Sequence, residues 1–376
     1  MQCLPLRTTL YVMSSLIKDV YSTHFFAQLN SILKNIVPGF NSKHFMKTVQ
    51  EQDFENKEWK ERMQAITFSL NTVLDADYSK ANKQLMQIVD AFKQQGGGGI
   101  AHIFLPDYIA QYGINHFKDA VKALEHTTQF ISCEFAVRPF LLQYPDAMLQ
   151  QMIKWSGHKS HSVRRLASEG ARPRLPWAMA LPAYKKDPQP LLPLLENLIT
   201  DNHEWVRLSV ANHLNDISKD HPAVFLQVAA KWKGKTKEID AIIKHASRTL
   251  LKAGNAEILQ LFNLDDAGLT LSKFKVVTPE IKVGEYLTFE FTVTNTNPAA
   301  KHLRLEYAIY YQKSKGHLTK KVFKISERSL QPGEKLNIIR RQSFKPITTR
   351  VFHKGLHKVA VIVNGKESVA KAFQLL

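Results

Sequence analysis

Cysteine is almost missing: 376 residues hold only Cys3 and Cys133. Two thiols cannot build a disulfide framework or a four-ligand zinc site, so a reducing compartment is expected. No run approaches the ~20 apolar residues of a membrane-crossing helix, and a membrane is not expected as partner. Met1–Val12 has one Arg and no small-residue cleavage site, which argues against a signal peptide. Met13-Ser14-Ser15 is the more natural start, so residues 1–12 read as an upstream extension. Acid is also scarce: 33 Asp and Glu face 51 Lys and Arg, leaving a net charge of +18. Such an excess suits a polyanionic partner and says nothing about fold.

What is present is unevenly placed. From Lys273 onward, 20 Lys and Arg face 7 Asp and Glu over 104 residues, while the first 272 residues carry 31 against 26. A second basic run lies between Lys154 and Arg174. There Lys154, Lys159, Arg164, Arg165, Arg172 and Arg174 surround a single acid, Glu169.

Apolar residues recur at helical spacing from Ser14 to about Leu74, with a break at Pro38-Gly39. A helix over about Ala81–Phe92 runs out at Gly96–Gly99. Those glycines lack the Lys-Ser/Thr of a P-loop, so a flexible loop is expected, with an anion-binding nest as the alternative. Helices then pair: Phe117–His126 with Phe130–Gln143, and Asp146–Trp155 with Ser160–Gly170. After a proline-rich connector come Leu191–Thr200 with Asn202–Ile217, then Pro222–Trp232 with Lys237–Lys252. The second helices resemble one another. His161-Ser162-Val163-Arg164 aligns with Glu204-Trp205-Val206-Arg207, and Ile243-Lys244 continues more weakly, at spacings of 43 and 37 residues. That period is near those of HEAT and armadillo repeats, with an irregular helical bundle as the alternative.

Beyond Leu271 the period changes. Ile281 to Asn295 alternates apolar and polar, and Leu303–Tyr311, Lys320–Ile325, Lys335–Ser343 and His357–Val363 are further strands. Pro332-Gly333 and Asn364-Gly365 separate them. The expected architecture is an all-α HEAT-like helical-repeat solenoid over residues 13–268. A small all-β immunoglobulin-like sandwich over residues 269–376 follows, without the paired cysteines of antibody domains.

Placing the acids on the repeats gives a candidate site. Glu169 and Asn212 hold equivalent positions in consecutive second helices, and Asp216 lies one turn beyond Asn212 on the same face. Glu134 is expected on the second helix of the preceding pair. Three carboxylates are thus expected on corresponding helices of neighbouring repeats, facing one concave surface, with Trp177 just past the helix stop at Pro173. The competing reading makes these acids surface partners of Arg138, Arg164 and Arg207, and Trp177 a core residue.

Three stretches carry a resemblance. Ser132-Cys133-Glu134-Phe135-Ala136-Val137-Arg138-Pro139-Phe140-Leu141 is the first, and Val163 through Glu169 to Trp177 the second. Ser209-Val210-Ala211-Asn212-His213-Leu214-Asn215-Asp216 is the third. They resemble the AlkC branch of the AlkC/AlkD bacterial alkylpurine DNA glycosylases over about Ser14 to Leu264. The β region resembles the immunoglobulin-like extension of some members.

The resemblance implies base-excision repair in the bacterial cytoplasm, by a monomer acting on double-stranded alkylated DNA with no metal or other cofactor. The bond hydrolysed is the N-glycosidic bond of cationic lesions such as 3-methyladenine and 3-methylcytosine, without the usual full base flipping. Matching motifs make Asp216, Glu169, Glu134 and Trp177 the catalytic candidates. A cationic base leaves readily, so carboxylates that stabilise an oxocarbenium-like sugar and orient water suffice, and an indole face suits a cation. Arg164, Arg165, Arg172, Arg174 and Arg207 are expected to hold phosphates, and the β domain to clamp the duplex. The alternatives are a β domain serving only stability or protein contacts, and a non-catalytic HEAT-repeat scaffold binding nucleic acid.

Overall fold

A computed structural model describes residues 17–347 and 350–376; the extension read over residues 1–12, and Cys3, lie outside them. The first helices are α1 (Thr23–Ile36), α2 (Ser42–Glu51), α3 (Trp59–Asn71), α4 (Tyr78–Gln94), α5 (Phe104–Tyr112) and α6 (Phe117–Thr127). Next come α7 (Val137–Gln143), α8 (Pro145–Trp155), α9 (His161–Gly170), α10 (Pro182–Lys186), α11 (Leu192–Leu198) and α12 (Glu204–Asp220). The last are α13 (Pro222–Trp232), α14 (Lys237–Ala246), α15 (Arg248–Ala253) and α16 (Ala256–Leu261).

Local chemistry sets the helix ends. Ser22 accepts a hydrogen bond from the Phe25 N–H ahead of α1, Asn41 from His44 ahead of α2, and Asp77 from Lys80 ahead of α4. Each side chain satisfies a donor that the first turn leaves unpaired. The four glycines act as a stop for α4. Gly96 takes φ +72°, its N–H donates to Lys93 O at 3.1 Å, and the Gly97 N–H donates to Phe92 O at 2.9 Å. This is a Schellman closure, for which a left-handed glycine is the natural residue.

The helix expected over Phe130–Gln143 begins only at Val137. Pro139 lacks an N–H and is tolerated in a first turn but not in a helix interior, and the stretch before it turns instead. The helix expected over Lys237–Lys252 divides at Ser247, whose Oγ donates back to Ile243 O at 2.7 Å.

The repeat has a physical basis. His158 Nδ1 accepts from the Ser160 N–H ahead of α9, and Asp201 Oδ1 accepts from the His203 N–H ahead of α12. Arg164 Nη1 then donates to His158 O, and Arg207 Nη1 to Asp201 O, each at 2.9 Å. Val163 and Val206, at the third position of each helix, are fully buried. Ile243 is buried too, but at the seventh position of α14, so the weaker third copy is out of register. The core of the helical region lies between the pairs, with Leu33, Phe45, Ile66, Leu85, Phe104, Leu124 and Phe140 sealed from solvent.

The strands are β1 (Leu269–Val276), β2 (Glu280–Ile281), β3 (Tyr286–Asn295), β4 (Lys301–Gln312) and β5 (Leu318–Leu330). They continue as β6 (Lys335–Ser343), β7 (Gly355–Val363), β8 (Lys366–Glu367) and β9 (Lys371–Leu375). One sheet runs β1-β3-β6, and the other runs β2-β9-β7-β4-β5 with β8 on β7. Phe289, Phe291 and Val293 of β3 meet Leu303, Leu305 and Tyr307 of β4 and Val359 and Val361 of β7 in one apolar layer. The fold is an all-α helical-repeat region followed by an immunoglobulin-like sandwich. β1 and β9 were not among the expected strands: β1 is interrupted by a bulge between Ser272 and Lys275, and β9 is only five residues long.

The strands start at Leu269, yet the chain packs as two compact units divided after Asp216. Within the second unit a partly buried charge network joins α14 to β4 and β5. Glu327 receives Lys244, Lys324 (2.7 Å), His302 (3.2 Å) and Arg304 (3.2 Å), and Arg304 also meets Glu306 at 2.5 Å. Burial raises the Glu327 pKa, but hydrogen bonds and charge from Lys244 and Lys324 outweigh it and bring it down to about 2. Breaking one member of a buried pair strands the other charge. Glu327→Gln is therefore expected to lower the unfolding free energy by about 3 kcal/mol. Urea denaturation checks this, and a midpoint equal to wild type would show the network to be dispensable.

Candidate active site

α9 is short and tightly seated. Val163, Leu166, Ala167 and Gly170 face inward, and a Cβ on Gly170 would lie 2.4 Å from Val137 of α7. That close approach brings the end of α9 against α7 and α8. Three charged side chains meet there. Arg172 donates from Nη1 to Glu169 Oε1 at 2.6 Å and from Nε to Asp216 Oδ2 at 2.9 Å. Ser209 Oγ lies 2.6 Å from Glu169 Oε2 and donates to it. Glu169, Arg172 and Asp216 are 6%, 7% and 1% exposed, so the pairing is sheltered from water.

Burial would pull the Arg172 pKa down, but the charges and hydrogen bonds of Glu169 and Asp216 outweigh it and raise it. Two carboxylates share the Arg172 guanidinium, and the buried Arg138 guanidinium lies near enough for its charge to act on Arg172 and Asp216.

His213 lies one turn before Asp216 and is fully buried, with Nδ1 3.0 Å from Ser168 O. A carbonyl only accepts, so Nδ1 carries a proton, while Nε2 is buried with no hydrogen-bond partner and burial favours the neutral ring. Burial is the main reason its pKa falls to about 3, with the charges of Arg172 and Arg138 adding to it against Asp216.

The other expected residues are placed as follows. Glu134 is not on a helix but in the turn before α7, where its Oε2 accepts from Ser132 Oγ at 2.7 Å and Arg165 Nη1 at 2.9 Å. Arg165 and Glu169 lie one turn apart on α9, so Glu134 joins the same face through its arginine.

Trp177 is 81% exposed, not core, and sits in the loop between α9 and α10 with φ +64°. A bulky residue held there costs roughly 1–3 kcal/mol. Trp177 and Met179 border a cleft of about 1000 Å³ that Ser132 and Phe135 also line, with Trp59, Phe68 and Asp107. Burial raises the Asp107 pKa.

The arginines expected on phosphate divide. Arg172 is buried, because two carboxylates claim its donors. Arg164 is held bidentate by Asp201 at 2.5 and 3.0 Å. Arg174 is exposed, and Arg165 and Arg207 are half-buried.

Ser209, His213 and Arg138 were not among the expected site residues. Ser209 and His213 share a face of α12 with Asp216, a signal available in the spacing. Arg138 reads as an ordinary surface cation in the sequence but is sealed from solvent, and burial with the Arg172 charge pushes its pKa down to about 10. Among the described residues, no group of three or more His, Cys, Asp or Glu is placed to hold a metal ion. No helix there is long and apolar enough to cross a membrane.

Because His213 is neutral when folded, the unfolded chain binds the extra proton below its ordinary pKa, and stability falls as pH drops through that window. Between pH 6.5 and 5, wild type is expected to lose roughly 2 kcal/mol more than His213→Asn. Equal losses in denaturation series at the two pH values would reject a neutral buried imidazole.

A family model described as "DNA alkylation repair enzyme" matches residues 115–250, a span containing Glu134, Glu169, Trp177 and Asp216. Another, described as "Uncharacterised protein YhaZ, C-terminal Ig-like domain", matches residues 270–376. The uncharacterized protein YhaZ of Bacillus subtilis (strain 168) is 42% identical over 360 residues, which is 96% of this chain and 99% of that protein. The solved structure of Pseudomonas fluorescens alkylpurine DNA glycosylase AlkC, bound to DNA containing an abasic site analog, is similar with a TM-score of 0.91. It is 36% identical and covers 96% of this chain and 100% of that one.

Proposed function

The chain belongs to the AlkC-type alkylpurine DNA glycosylases with a C-terminal immunoglobulin-like domain, and we propose that it is a monofunctional glycosylase releasing cationic alkylated bases from double-stranded DNA. 3-Methyladenine and 3-methylcytosine are the substrates, and the enzyme acts as a monomer in the bacterial cytoplasm. The observation that carries this reading is the sheltered pair of carboxylates around Arg172.

In the reaction the C1′–N bond breaks and its electron pair neutralises the positive charge of the departing base. Water then bonds to C1′ and its proton passes to a carboxylate. Asp216 stabilises the oxocarbenium-like sugar and orients the water, with Glu169 and Glu134 adding to the negative field. Fixed charges of this kind act at full strength because they need no reorganisation during reaction. Arg172 serves as a positioning residue rather than a phosphate contact, since its two ion pairs set the spacing of Glu169 and Asp216. Trp177 offers its face to the cationic base or the sugar.

Asp216→Asn is expected to slow release of 3-methyladenine from methylated duplex by at least ~100-fold, in the range of losing one electrostatic stabiliser. If wild type itself releases no base above buffer, the enzyme reading falls and a DNA-binding scaffold remains. If only the variant matches wild type, the assignment of Asp216 falls.

The sandwich contacts the phosphate backbone through the outer face of the β1-β3-β6 sheet. There Thr270, Thr294 and Lys335 align across the strands, as do Lys275, Glu290 and Ile339, with Arg341 opposite Thr288. Lys275, Lys335 and Arg341 are exposed. Each phosphate contact contributes about 0.9 to the slope of log affinity against log salt. Combining Lys275→Gln, Lys335→Gln and Arg341→Gln is expected to flatten that slope by about 2–3. An unchanged slope would remove this face from the DNA interface.

A further inference from the structure

One side chain holds both ends of the loop that carries Trp177. Arg138 of α7 is fully buried; its Nε and Nη1 donors go to backbone carbonyls rather than to carboxylates, and Nη2 is buried without a hydrogen-bond partner. Nη1 donates to Gly170 O and Arg172 O, both at 2.9 Å, and Nε donates to Met179 O at 2.6 Å. Gly170 is the last residue of α9, and Met179 lies two residues past Trp177.

The loop's own backbone bonds are long by comparison. The Ala178 N–H reaches Leu175 O at 3.4 Å, and the Leu181 N–H reaches Pro173 O at 3.3 Å. A left-handed tryptophan persists only where its surroundings over-determine the backbone. The guanidinium supplies that constraint from beneath, while the indole above it stays in solvent.

We propose that Arg138 is a positioning residue for the glycosylase reaction, clamping the 171–181 loop so that Trp177 is presented to the lesion. The proposal rests on the catalytic reading given above. The same fork grips the Arg172 carbonyl, so the loop and the residue between Glu169 and Asp216 share one anchor. Planar geometry is essential, because three carbonyls at fixed positions are met by a rigid set of N–H donors. Lysine brings a point charge and a flexible stem, and cannot hold both ends of the loop in the same way.

The test compares wild type, Arg138→Lys, Trp177→Ala and the double variant. Single-turnover release of 3-methyladenine is measured with enzyme saturating, alongside affinity for undamaged duplex and limited proteolysis of the free protein. Arg138→Lys is expected to slow release 10- to 100-fold while affinity for undamaged duplex changes less than 2-fold, and to open the 171–181 loop to protease. In the Trp177→Ala background the same substitution is expected to cost less than 3-fold, because the group it positions is gone.

A purely structural arginine would lower thermal stability equally in both backgrounds and leave release per folded molecule unchanged. That outcome, or losses that multiply in the double variant, overturns the proposal. An inactive wild type overturns the glycosylase reading instead. Proteolysis needs no activity, so a loop that is no more cleaved in Arg138→Lys overturns the clamp by itself.

Discussion

The structure of the candidate site depends on one constraint: a guanidinium buried between two carboxylates from different helices. Arg172 takes Glu169 from its own repeat and Asp216 from the next. Desolvating three charges is expensive, and removing any one would strand its partners at a cost of about 3–5 kcal/mol. Ionic clusters of this kind are weak as devices for stability, since apolar residues of similar volume often do as well. Their advantage lies in geometry and field. Two anions are held at fixed spacing in a sheltered place, with the neutral His213 imidazole and the buried Arg138 guanidinium alongside. In the reaction proposed above, a cationic base and an oxocarbenium-like sugar are the species on which those carboxylates would act.

The constraint works because the repeat brings the same parts to the same places. Ahead of α9 and α12 a side chain accepts the N–H two residues on, an arginine in the helix returns to the carbonyl six residues earlier, and a valine enters the core. With backbones matched in this way, equivalent positions face the same surface. Local departures then specialise that surface. Pro139 shortens α7 and leaves Glu134 in a turn, where it meets Arg165 from α9. The loop after α9 departs further, turning Trp177 outward at a backbone angle few bulky residues adopt.

In the second unit the division of labour among charges is different. Inside, Glu327 gathers Lys244, Lys324, His302 and Arg304 and binds helices to strands. Outside, the face of the β1-β3-β6 sheet keeps its cations toward solvent. The excess of Lys and Arg after Lys273 therefore serves two ends, and only the exposed fraction is available to a polyanion.

Much of the fold was legible in the sequence. Period and punctuation marked α8, α9, α12, α13 and β6 closely, and the repeat in α9 and α12 was visible in a handful of aligned residues. Motif wording singled out Glu134, Glu169, Trp177 and Asp216 before any geometry. The sequence could also say that a basic chain with so few acids must treat each carboxylate as a separate case. It could not say where Arg138 and Arg172 point, since a surface cation and a buried one are the same letters. Nor could it assign α13–α16 to the company of the strands. Helical period and motif are local properties, set by a few neighbouring residues. Asp216 as the second partner of Arg172, and the carbonyls that hold Arg138, come from segments more than thirty residues away, and there tertiary structure alone decided.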